Sequence, residues 1–525
     1  MKLSKVILFL ILALPSAPLS AQGTGVLPQA ALPTWGDQGN GTYVNPILNA
    51  DYSDPDVIRH GDKYYMIASD FHFIGMQVLE SDDMVNWTLI SQVYDRFDFP
   101  EYDTNQRYAG GSWAPALRYH DGKFWIYFCS PDEGLFMTTA TDPAGPWEPL
   151  HLVCKIEKWE DPCPLWDDDG QTYLGRSRHR AGPIIVHRMS ADGRELLDDG
   201  VTVYTGPVAE GTKFYKLNGY YYLSIPEGGV GEGWQTVLRS KNIYGPYEKR
   251  VVLEQGCTAI NGPHQGAMVD TPDGEWWFYH FQKADPLGRV VHLQPMYWKD
   301  GWPVIGVDTD RNGVGEPVTV WTKPHTGKQV APAAPQTDDD FSADGLALQW
   351  QWNHNPAEGG WSLTEKKGAL TLTALPAENF LAARNVLTQR TMGYQGTATV
   401  KMTVSALADG QRSGLACMGK QNVLIGLMKQ DGRAVLYVER DGVIERTVAY
   451  SGKTVSLRMS ANATDNVYSL YYSSDGKTFK QVTDGFPMRF GNWKGVRVGL
   501  YCYNVEGSGG KACFDDFVYE HDGPQ

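Results

Sequence analysis

Three carboxylic acids occupy similar positions in three separate segments of the chain. Asp54, Asp161 and Glu210 each lie seven or eight residues before a tight turn that contains glycine. Two carboxyl groups can hydrolyse a glycosidic bond when one protonates the leaving oxygen and the other activates a water molecule. A third carboxylate can keep the acid protonated by repulsion, and three acids can instead bind a hard cation. The residue types therefore indicate glycoside hydrolysis or cation binding.

The acids belong to a segment that recurs five times, in which a turn leads into an aromatic strand. Asp-Gly and Asn-Gly favour hairpin turns, and Tyr, Trp and Phe favour the strand that follows. The copies lie about fifty to sixty residues apart, which suits one four-stranded propeller blade. The sequence therefore predicts an all-β fold with a five-bladed β-propeller over residues 42–325. The copies are GDKYYM from Gly61, DGKFWI from Asp121, DGQTYL from Asp169, NGYYYL from Asn218 and DGEWWF from Asp273.

The strand before each turn is expected to line the axis of the propeller. This places Asp54, Asp161 and Glu210, from three blades, at about the same height around one axis, and His264 falls nine residues before the last turn. The shared register favours a functional interpretation of the three acids together. Other acids close by are interpreted as solvated or turn-forming residues, and these are Asp56, Asp167 and Asp168.

Six motifs run in order through this first segment. They are NPILNADYSDPDVIR from Asn45, Trp-Ala-Pro at Trp113–Pro115, DPCPLWDDDG from Asp161, EGTKFYKLNGYYYL from Glu210, and the segments His264–Trp277 and Gly288–Pro303. With these motifs in this order, the segment resembles the five-bladed catalytic domain of glycoside hydrolase family 43. The match extends over the whole predicted propeller.

The resemblance implies roles for these residues. Asp54 is similar to the family's general base, Glu210 to its general acid, and Asp161 to the acid that tunes the pKa of Glu210 and orients it. Because the family works with inversion, the carboxyl groups of Asp54 and Glu210 are expected to lie about 6.5–9.5 Å apart, with room for water.

Four further residues resemble binding residues of the family. Arg289 is similar to the arginine that reaches into the sugar pocket, and Trp113 and Phe73 resemble walls of that pocket. His264 resembles an axial histidine that helps to hold a calcium ion, often through water molecules. The resemblance implies no organic cofactor.

The chain changes character after the predicted propeller. Residues 326–338 are rich in Pro, Ala and Asp and are interpreted as a linker. Residues 339–525 alternate apolar and polar positions in short runs, which predicts a β-sandwich of the jelly-roll type. This part is similar to the concanavalin-like C-terminal domain of family 43 xylosidases and arabinofuranosidases. In such relatives the sandwich closes one side of the pocket, which implies action at chain ends; separate carbohydrate binding is the alternative.

Composition limits the classes of partner. The formal net charge of −15 argues against nucleic acid or an anionic membrane, since both need a basic surface. Residues 1–21 resemble a signal peptide, because lysines precede the short apolar run Val6–Leu14 and small residues follow. We therefore expect export to the periplasm or the medium, without membrane insertion. The seven cysteines form no zinc motif. The sequence does not establish whether Cys502 and Cys513 form a disulfide bond.

The sequence predicts an inverting exo-glycosidase that removes terminal β-D-xylosyl or α-L-arabinofuranosyl residues from plant xylan, arabinoxylan or arabinan. It does not separate the two sugars or fix the oligomeric state. One alternative is an endo-acting arabinanase, which needs an open cleft. The other is a non-catalytic sugar-binding propeller, which predicts the loss of at least one of the three acids.

Overall fold

The computed structural model describes residues 32–99, 101–180, 182–483 and 485–524, so the predicted signal peptide lies outside the described residues. From Pro33 onward the chain forms one compact unit. As predicted, it is almost entirely β; within the described ranges the one helix is a short 3-10 turn at Phe380–Ala382. None of the described helical residues makes a segment long and apolar enough to cross a membrane.

Five four-stranded antiparallel sheets confirm the predicted five blades. Each blade is built from four strands that are consecutive in the chain, and two short strands, β1 (Gly36–Asp37) and β2 (Thr42–Val44), precede them. The strands of the blades are β3 (Ser53–His60), β4 (Lys63–Ser69), β5 (Gln77–Ser81) and β6 (Thr88–Gln92) in blade 1; β7 (Trp113–His120), β8 (Lys123–Ser130), β9 (Gly134–Ala140) and β10 (His151–Cys154) in blade 2; β11 (Trp159–Trp166), β12 (Thr172–Arg178), β13 (Pro183–Met189) and β14 (Val201–Thr205) in blade 3; β15 (Lys213–Leu217), β16 (Tyr220–Glu227), β17 (Trp234–Ser240) and β18 (Glu248–Leu253) in blade 4; and β19 (Met268–Asp270), β20 (Trp276–Ala284), β21 (Gly288–Lys299) and β22 (Trp302–Ile305) in blade 5.

The predicted turns form the first hairpin of each blade. In blades 2 and 4 both turn residues have positive φ: Asp121 46° and Gly122 76°, then Asn218 51° and Gly219 76°. A two-residue turn with this geometry matches the twist of the strands on either side, and Asp, Asn and Gly tolerate it at little cost. The dipeptides therefore set the register of both hairpins.

Hydrogen bonds close the ring between blades 1 and 5. The strand β23 (Val320–Thr322), which follows blade 5, pairs with β2 ahead of blade 1. The side-chain amide (Nδ2) of Asn45 donates to the carbonyl oxygens of Leu293 and Val318, each at 2.8 Å. The two ends of the propeller are thus held together, which fixes the blades around the axis.

Asp56 corrects one sequence interpretation. We expected a solvated or turn-forming residue, but its side chain is fully buried. One carboxylate oxygen lies 2.7 Å from the guanidinium of Arg118 and accepts a hydrogen bond from the amide of Leu117 at 2.7 Å. Both partners lie on β7, so Asp56 links the innermost strands of blades 1 and 2.

The C-terminal part confirms the predicted β-sandwich. Its strands are β24 (Gln351–Trp352), β25 (Trp361–Ser362), β26 (Leu370–Thr373), β27 (Leu375–Pro376), β28 (Leu387–Arg390), β29 (Gln395–Thr403), β30 (Gln411–Met418), β31 (Val423–Gln430), β32 (Arg433–Arg440), β33 (Val443–Ala449), β34 (Thr454–Asn462), β35 (Val467–Ser473), β36 (Lys480–Gln481), β37 (Phe486–Pro487), β38 (Arg497–Asn504) and β39 (Lys511–His521). They form two eight-stranded sheets. One is ordered β24-β28-β38-β30-β31-β32-β33 with β27 beside β38, and the other is ordered β25-β26-β39-β29-β34-β35-β36 with β37 beside β35.

The segment 326–338, interpreted as a linker, lies against blade 1. Lys328 forms an ion pair with Asp62, and the amide of Ala333 donates to the side chain of Asn86 at 2.7 Å. The linker therefore has fixed hydrogen-bond partners on the propeller.

Buried ion pairs join the propeller to the sandwich. Lys494 lies 2.8 Å from Asp51, and Arg390 pairs with Asp70; each of these four side chains is at most 5% exposed. Arg390 also donates to the carbonyl oxygen of Asp51 at 2.6 Å. Removing one partner of such a pair leaves an uncompensated buried charge, which is strongly destabilising.

We predict that Lys494→Met lowers the free energy of unfolding by about 3–5 kcal/mol, because Asp51 would stay buried without its cation. Chemical denaturation of the full chain measures the change. The matched control is Lys511→Met, which breaks a 2.7 Å ion pair with Glu365 whose side chains are about half exposed. An exposed pair contributes about 0–1 kcal/mol. Equal losses in the two variants would contradict the prediction.

Candidate active site

A cavity of about 210 Å³ lies where the innermost strands of the blades begin, and all three predicted acids line it. Trp113 and Arg289 line it as well, as the resemblance implied. Residues from the propeller and one residue from the sandwich surround it together. The lining residues are Asp54, Phe71, Trp113, Ala114, Glu160, Asp161, His179, Arg180, Val208, Glu210, Val230, Gln265, Arg289 and Trp493.

A left-handed residue at the entry of each innermost strand brings these side chains together. The five residues are Asp54 (φ 55°), Ala114 (38°), Asp161 (57°), Gly211 (61°) and Gln265 (43°). In blades 1–3 the strand pairing shifts register there, which is a β-bulge. A bulge bends the strand and re-aims a side chain. The acids of blades 1 and 3 thus share one position, whereas the acid of blade 4 precedes that position by one residue.

Both carboxylate oxygens of Asp54 accept a hydrogen bond. Oδ1 accepts from Nη1 of Arg289 at 2.6 Å, and Oδ2 accepts from the hydroxyl of Ser69 at 2.6 Å. The same serine oxygen accepts from the amide of Ala114 at 2.6 Å. These contacts hold the carboxylate in one orientation beside the cavity, which is what a base that activates water requires.

Asp161 is buried and fully hydrogen-bonded. Oδ1 accepts from the side-chain amide of Gln265 at 2.9 Å, and Oδ2 accepts from the amide of Gly211 at 2.7 Å and from the hydroxyl of Ser177. Burial and the charge of Glu210 raise the pKa of Asp161 to about 6, although the hydrogen bonds from Ser177 and Gly211 act in the opposite direction. Asp161 therefore interacts with Glu210 both by charge and through the neighbouring backbone.

The pKa of Glu210 differs from the expectation for a general acid, which must hold a proton. Burial raises its pKa, but the hydrogen bond with His264 and the positive charges of His264 and Arg289 outweigh burial, so the pKa of Glu210 is lowered. Oε1 of Glu210 lies 2.7 Å from Nε2 of His264. This contact differs from the expectation for His264, which the resemblance implies as a metal-holding residue.

Sequence reasoning missed a fourth carboxyl group in the cavity, that of Glu160. Its Oε2 lies 3.1 Å from Nδ1 of His179. Burial and the charges of Asp161, Glu210 and Asp54 raise the pKa of Glu160 to about 10. Glu160 directly precedes the left-handed residue of its blade, as Glu210 does in blade 4. If the innermost strands of blades 3 and 4 are aligned on Asp161 and Gly211, Glu160 and Glu210 occupy the same position. Counting back from the turns does not show this equivalence.

Phe73 is not a wall of this cavity, and that prediction is wrong. The guanidinium of Arg497 lies 4.0 Å from the centre of its ring, and Phe73 clusters with Phe380 and Tyr501 of the sandwich. Phe71 lines the cavity instead, with its ring 6.2 Å from that of Trp113. Phe71 has φ 53°, which breaks the alternation of an extended chain and turns its ring toward the cavity.

The sandwich contributes Trp493 to the cavity, and no pattern in the sequence marked this residue. It lies on the turn Gly491–Gly495 beside Lys494, which is anchored on Asp51. The ring of Trp493 lies 6.4 Å from that of His179, which in turn lies 5.2 Å from that of Trp113. The C-terminal domain therefore supplies part of the cavity wall.

The residues around His264 do not form a calcium cage. Within the described ranges, no group of three or more His, Cys, Asp or Glu side chains is arranged to hold a metal ion. Calcium takes six to eight oxygen ligands. Nδ1 of His264 is buried without a hydrogen-bond partner, however, which leaves it free to form a hydrogen bond with a water molecule that coordinates an ion. Calcium held in that way stays a prediction.

The seven cysteines are free thiols, which answers the question left open for Cys502 and Cys513. Cys502 accepts a hydrogen bond from the hydroxyl of Ser413 at 3.1 Å.

Comparison with known proteins agrees with this geometry. Residues 43–303 match the model of glycosyl hydrolases family 43, and residues 338–520 match that of the beta xylosidase C-terminal concanavalin A-like domain. A putative beta-xylosidase of Xylanibacter ruminicola is 58% identical over 89% of this chain and 87% of its own length. A non-reducing end alpha-L-arabinofuranosidase of Bacteroides ovatus is 29% identical over 91% and 94%.

The fold also matches a crystal structure of the family 43 protein BlXynB from Bacillus licheniformis. The TM-score is 0.80 at 26% identity, and the match covers 91% of this chain and 99% of the other.

We predict that Ala114→Gly either leaves the free energy of unfolding unchanged or raises it by up to about 1 kcal/mol. Glycine removes the cost of a left-handed side chain but adds entropy to the unfolded chain. The control is Ala116→Gly, two residues along the same strand and fully buried, which we expect to lose about 1 kcal/mol. Urea unfolding measures the free energy of unfolding of both variants. An equal loss of stability in the two would contradict backbone strain at Ala114.

Proposed function

This chain belongs to glycosyl hydrolases family 43 and is a glycoside hydrolase, and we propose that it releases terminal β-D-xylosyl or α-L-arabinofuranosyl residues from plant hemicellulose with inversion. The observation that carries the proposal is the convergence of Asp54, Asp161 and Glu210, from three blades, on one cavity of about 210 Å³. The printed names of the two relatives support the choice of sugar.

In the proposed reaction Asp54 takes a proton from water while that water attacks the anomeric carbon. The bond from the anomeric carbon to the water oxygen forms, and the glycosidic carbon–oxygen bond breaks. Glu210 gives its proton to the leaving oxygen, so that the free sugar and the shortened chain are both neutral. Attack and departure occur on opposite faces of the ring, which inverts the configuration.

The acid role of Glu210 depends on two opposing influences. Its hydrogen bond with His264 favours the ionised carboxylate, whereas the negative charge of Asp161 favours the protonated acid. Because these groups titrate as a coupled set, the charge of one raises the pKa of the other. We assign to Asp161 the role of opposing the ionisation of Glu210, which counteracts the lowering of the pKa of Glu210 by His264 and Arg289.

Action at chain ends is supported by the walls of the cavity. Trp113 of blade 2 and Trp493 of the sandwich both line it, so the C-terminal domain narrows the space around the acids. An endo-acting arabinanase needs a cleft that is open at both ends, and the position of Trp493 argues against one. A purely sugar-binding propeller does not explain the presence and close placement of all three acids.

Two further parts of the proposal concern the context of the enzyme. We propose export to the periplasm or the medium, supported by the signal-peptide pattern of residues 1–21. We keep a water-coordinated calcium ion beside His264 as a proposal, supported by its unpartnered Nδ1. Such an ion would supply positive charge near Glu210.

We predict that the purified protein hydrolyses p-nitrophenyl β-D-xylopyranoside, p-nitrophenyl α-L-arabinofuranoside, or both. Asp54→Asn should lower kcat by about 10²–10⁴-fold, because the base is lost. Glu210→Gln should lower kcat less on these substrates than on xylobiose or arabinobiose, because nitrophenolate leaves without a proton. Asp168→Asn, at a side chain that is 88% exposed, is the control. A folded protein that releases neither sugar would contradict the proposal.

A second prediction concerns pH. Asp161→Asn removes a negative charge that opposes ionisation of Glu210, so the pKa of Glu210 should fall. The basic limb of the kcat/KM profile should therefore move to lower pH. Rates on the preferred disaccharide between pH 4 and 9 measure the shift. A uniform loss of rate with an unmoved basic limb would assign Asp161 to positioning alone.

A further inference from the structure

Glu160 has a carboxyl oxygen that the protein leaves without a hydrogen bond. The residue is only 7% exposed, its Oε1 is buried and unpartnered, and it lines the cavity. Its other oxygen, Oε2, is occupied by His179 at 3.1 Å. A buried polar atom without a partner costs about 1–3 kcal/mol, so native structures seldom retain one unless a ligand or water satisfies it.

The surroundings of Glu160 fit a sugar. His179 contacts Glu160 and also the rings of Trp113 and Trp493, so the hydrogen-bond partner of Glu160 packs against aromatic side chains from both domains. Pockets for small ligands combine apolar or aromatic walls with a few polar groups that fix orientation. A pyranose or furanose ring presents an apolar face to such walls and hydroxyl groups at its edge.

We infer that Glu160 is a sugar-binding residue whose free Oε1 forms a hydrogen bond with a hydroxyl group of the bound pentose substrate. This inference rests on the proposed function, since it takes the ligand to be a sugar. It gives Glu160 a part in selecting the substrate that is separate from the roles of Asp54 and Glu210 in the reaction.

The electrostatics of the site agree with a neutral carboxyl group. Its raised pKa of about 10 means that Glu160 holds a proton at neutral pH, and burial together with the charge of Arg180 lowers the pKa of His179. A protonated carboxyl group can donate as well as accept a hydrogen bond. Glutamine has the same shape and also donates and accepts, so it should replace Glu160 in this role, whereas leucine cannot.

The experiment compares Glu160→Gln and Glu160→Leu with the wild type. The control is Glu157→Gln, an exposed glutamate three residues earlier in the same segment. We expect Glu160→Gln to keep KM and the Kd of the free product sugar within about threefold. Glu160→Leu should raise both by roughly tenfold or more, with a smaller change in kcat, because a buried hydroxyl loses its partner.

Monodeoxy sugars locate the hydroxyl group and guard against an effect of misfolding. A sugar that lacks the hydroxyl bound by Glu160 should bind the wild type and Glu160→Gln more weakly than the complete sugar does. Glu160→Leu should bind the deoxy sugar and the complete sugar equally. Thermal midpoints confirm that each variant is folded. If Glu160→Leu fails to fold, the test uses the deoxy sugars with the wild type and Glu160→Gln alone. If every deoxy sugar then binds as tightly as the complete sugar, the inference is overturned.

Other outcomes separate this inference from the proposed function. A folded Glu160→Leu with KM and Kd within twofold of the wild type overturns the inference, and so does a loss in Glu160→Gln as large as in Glu160→Leu. If the wild type releases neither xylose nor arabinose, the proposed function fails. Calorimetric titration of both sugars into the wild type and Glu160→Leu then tests the inference, and equal affinity or absent binding overturns it.

Discussion

The buried ion pair between Lys494 and Asp51 connects the sandwich to the chemistry of the propeller. Asp51 also accepts hydrogen bonds from the amide of Arg289 at 2.9 Å and from the hydroxyl of Ser53 at 2.9 Å. Arg289 in turn donates to Asp54, and Ser53 directly precedes it. A single carboxylate thus takes its charge partner from the sandwich and holds the backbone around Asp54 in the propeller. Since Trp493 adjoins Lys494, the same contact also places a wall of the cavity.

Crowding of carboxyl groups is the second constraint, and their partners separate their roles. Arg289 and Ser69 satisfy Asp54, and His264 favours the ionised form of Glu210. Burial and the charges of Asp161, Glu210 and Asp54 raise the pKa of Glu160, and the charge of Arg289 offsets only part of that rise. Four acids can share one small cavity because some are neutralised by cations while others retain protons. The network thereby places carboxyl groups with different pKa values within one site.

The repeat allowed much of this to be predicted, and its limits explain the errors. The Asp-Gly and Asn-Gly turns fix hairpins through local backbone preference, so the five blades and the approximate height of three acids follow from the sequence. The bulges at the strand entries of blades 1–3 interrupt the count back from the turns, which concealed Glu160. Phe71 replaced Phe73 for the same kind of reason, because its left-handed backbone interrupts the alternation assumed for an extended chain.

The sequence by itself determined the all-β class, the propeller and sandwich order, and the convergence of Asp54, Asp161 and Glu210, because turns and alternation act over a few residues. Only the tertiary structure decided which neighbours these acids have. His264 beside Glu210, Trp493 in the cavity wall and the buried pairing of Asp56 with Arg118 each join residues far apart in the chain. Such contacts depend on how blades and domains pack, and packing decides which charges are buried together and which protons they keep.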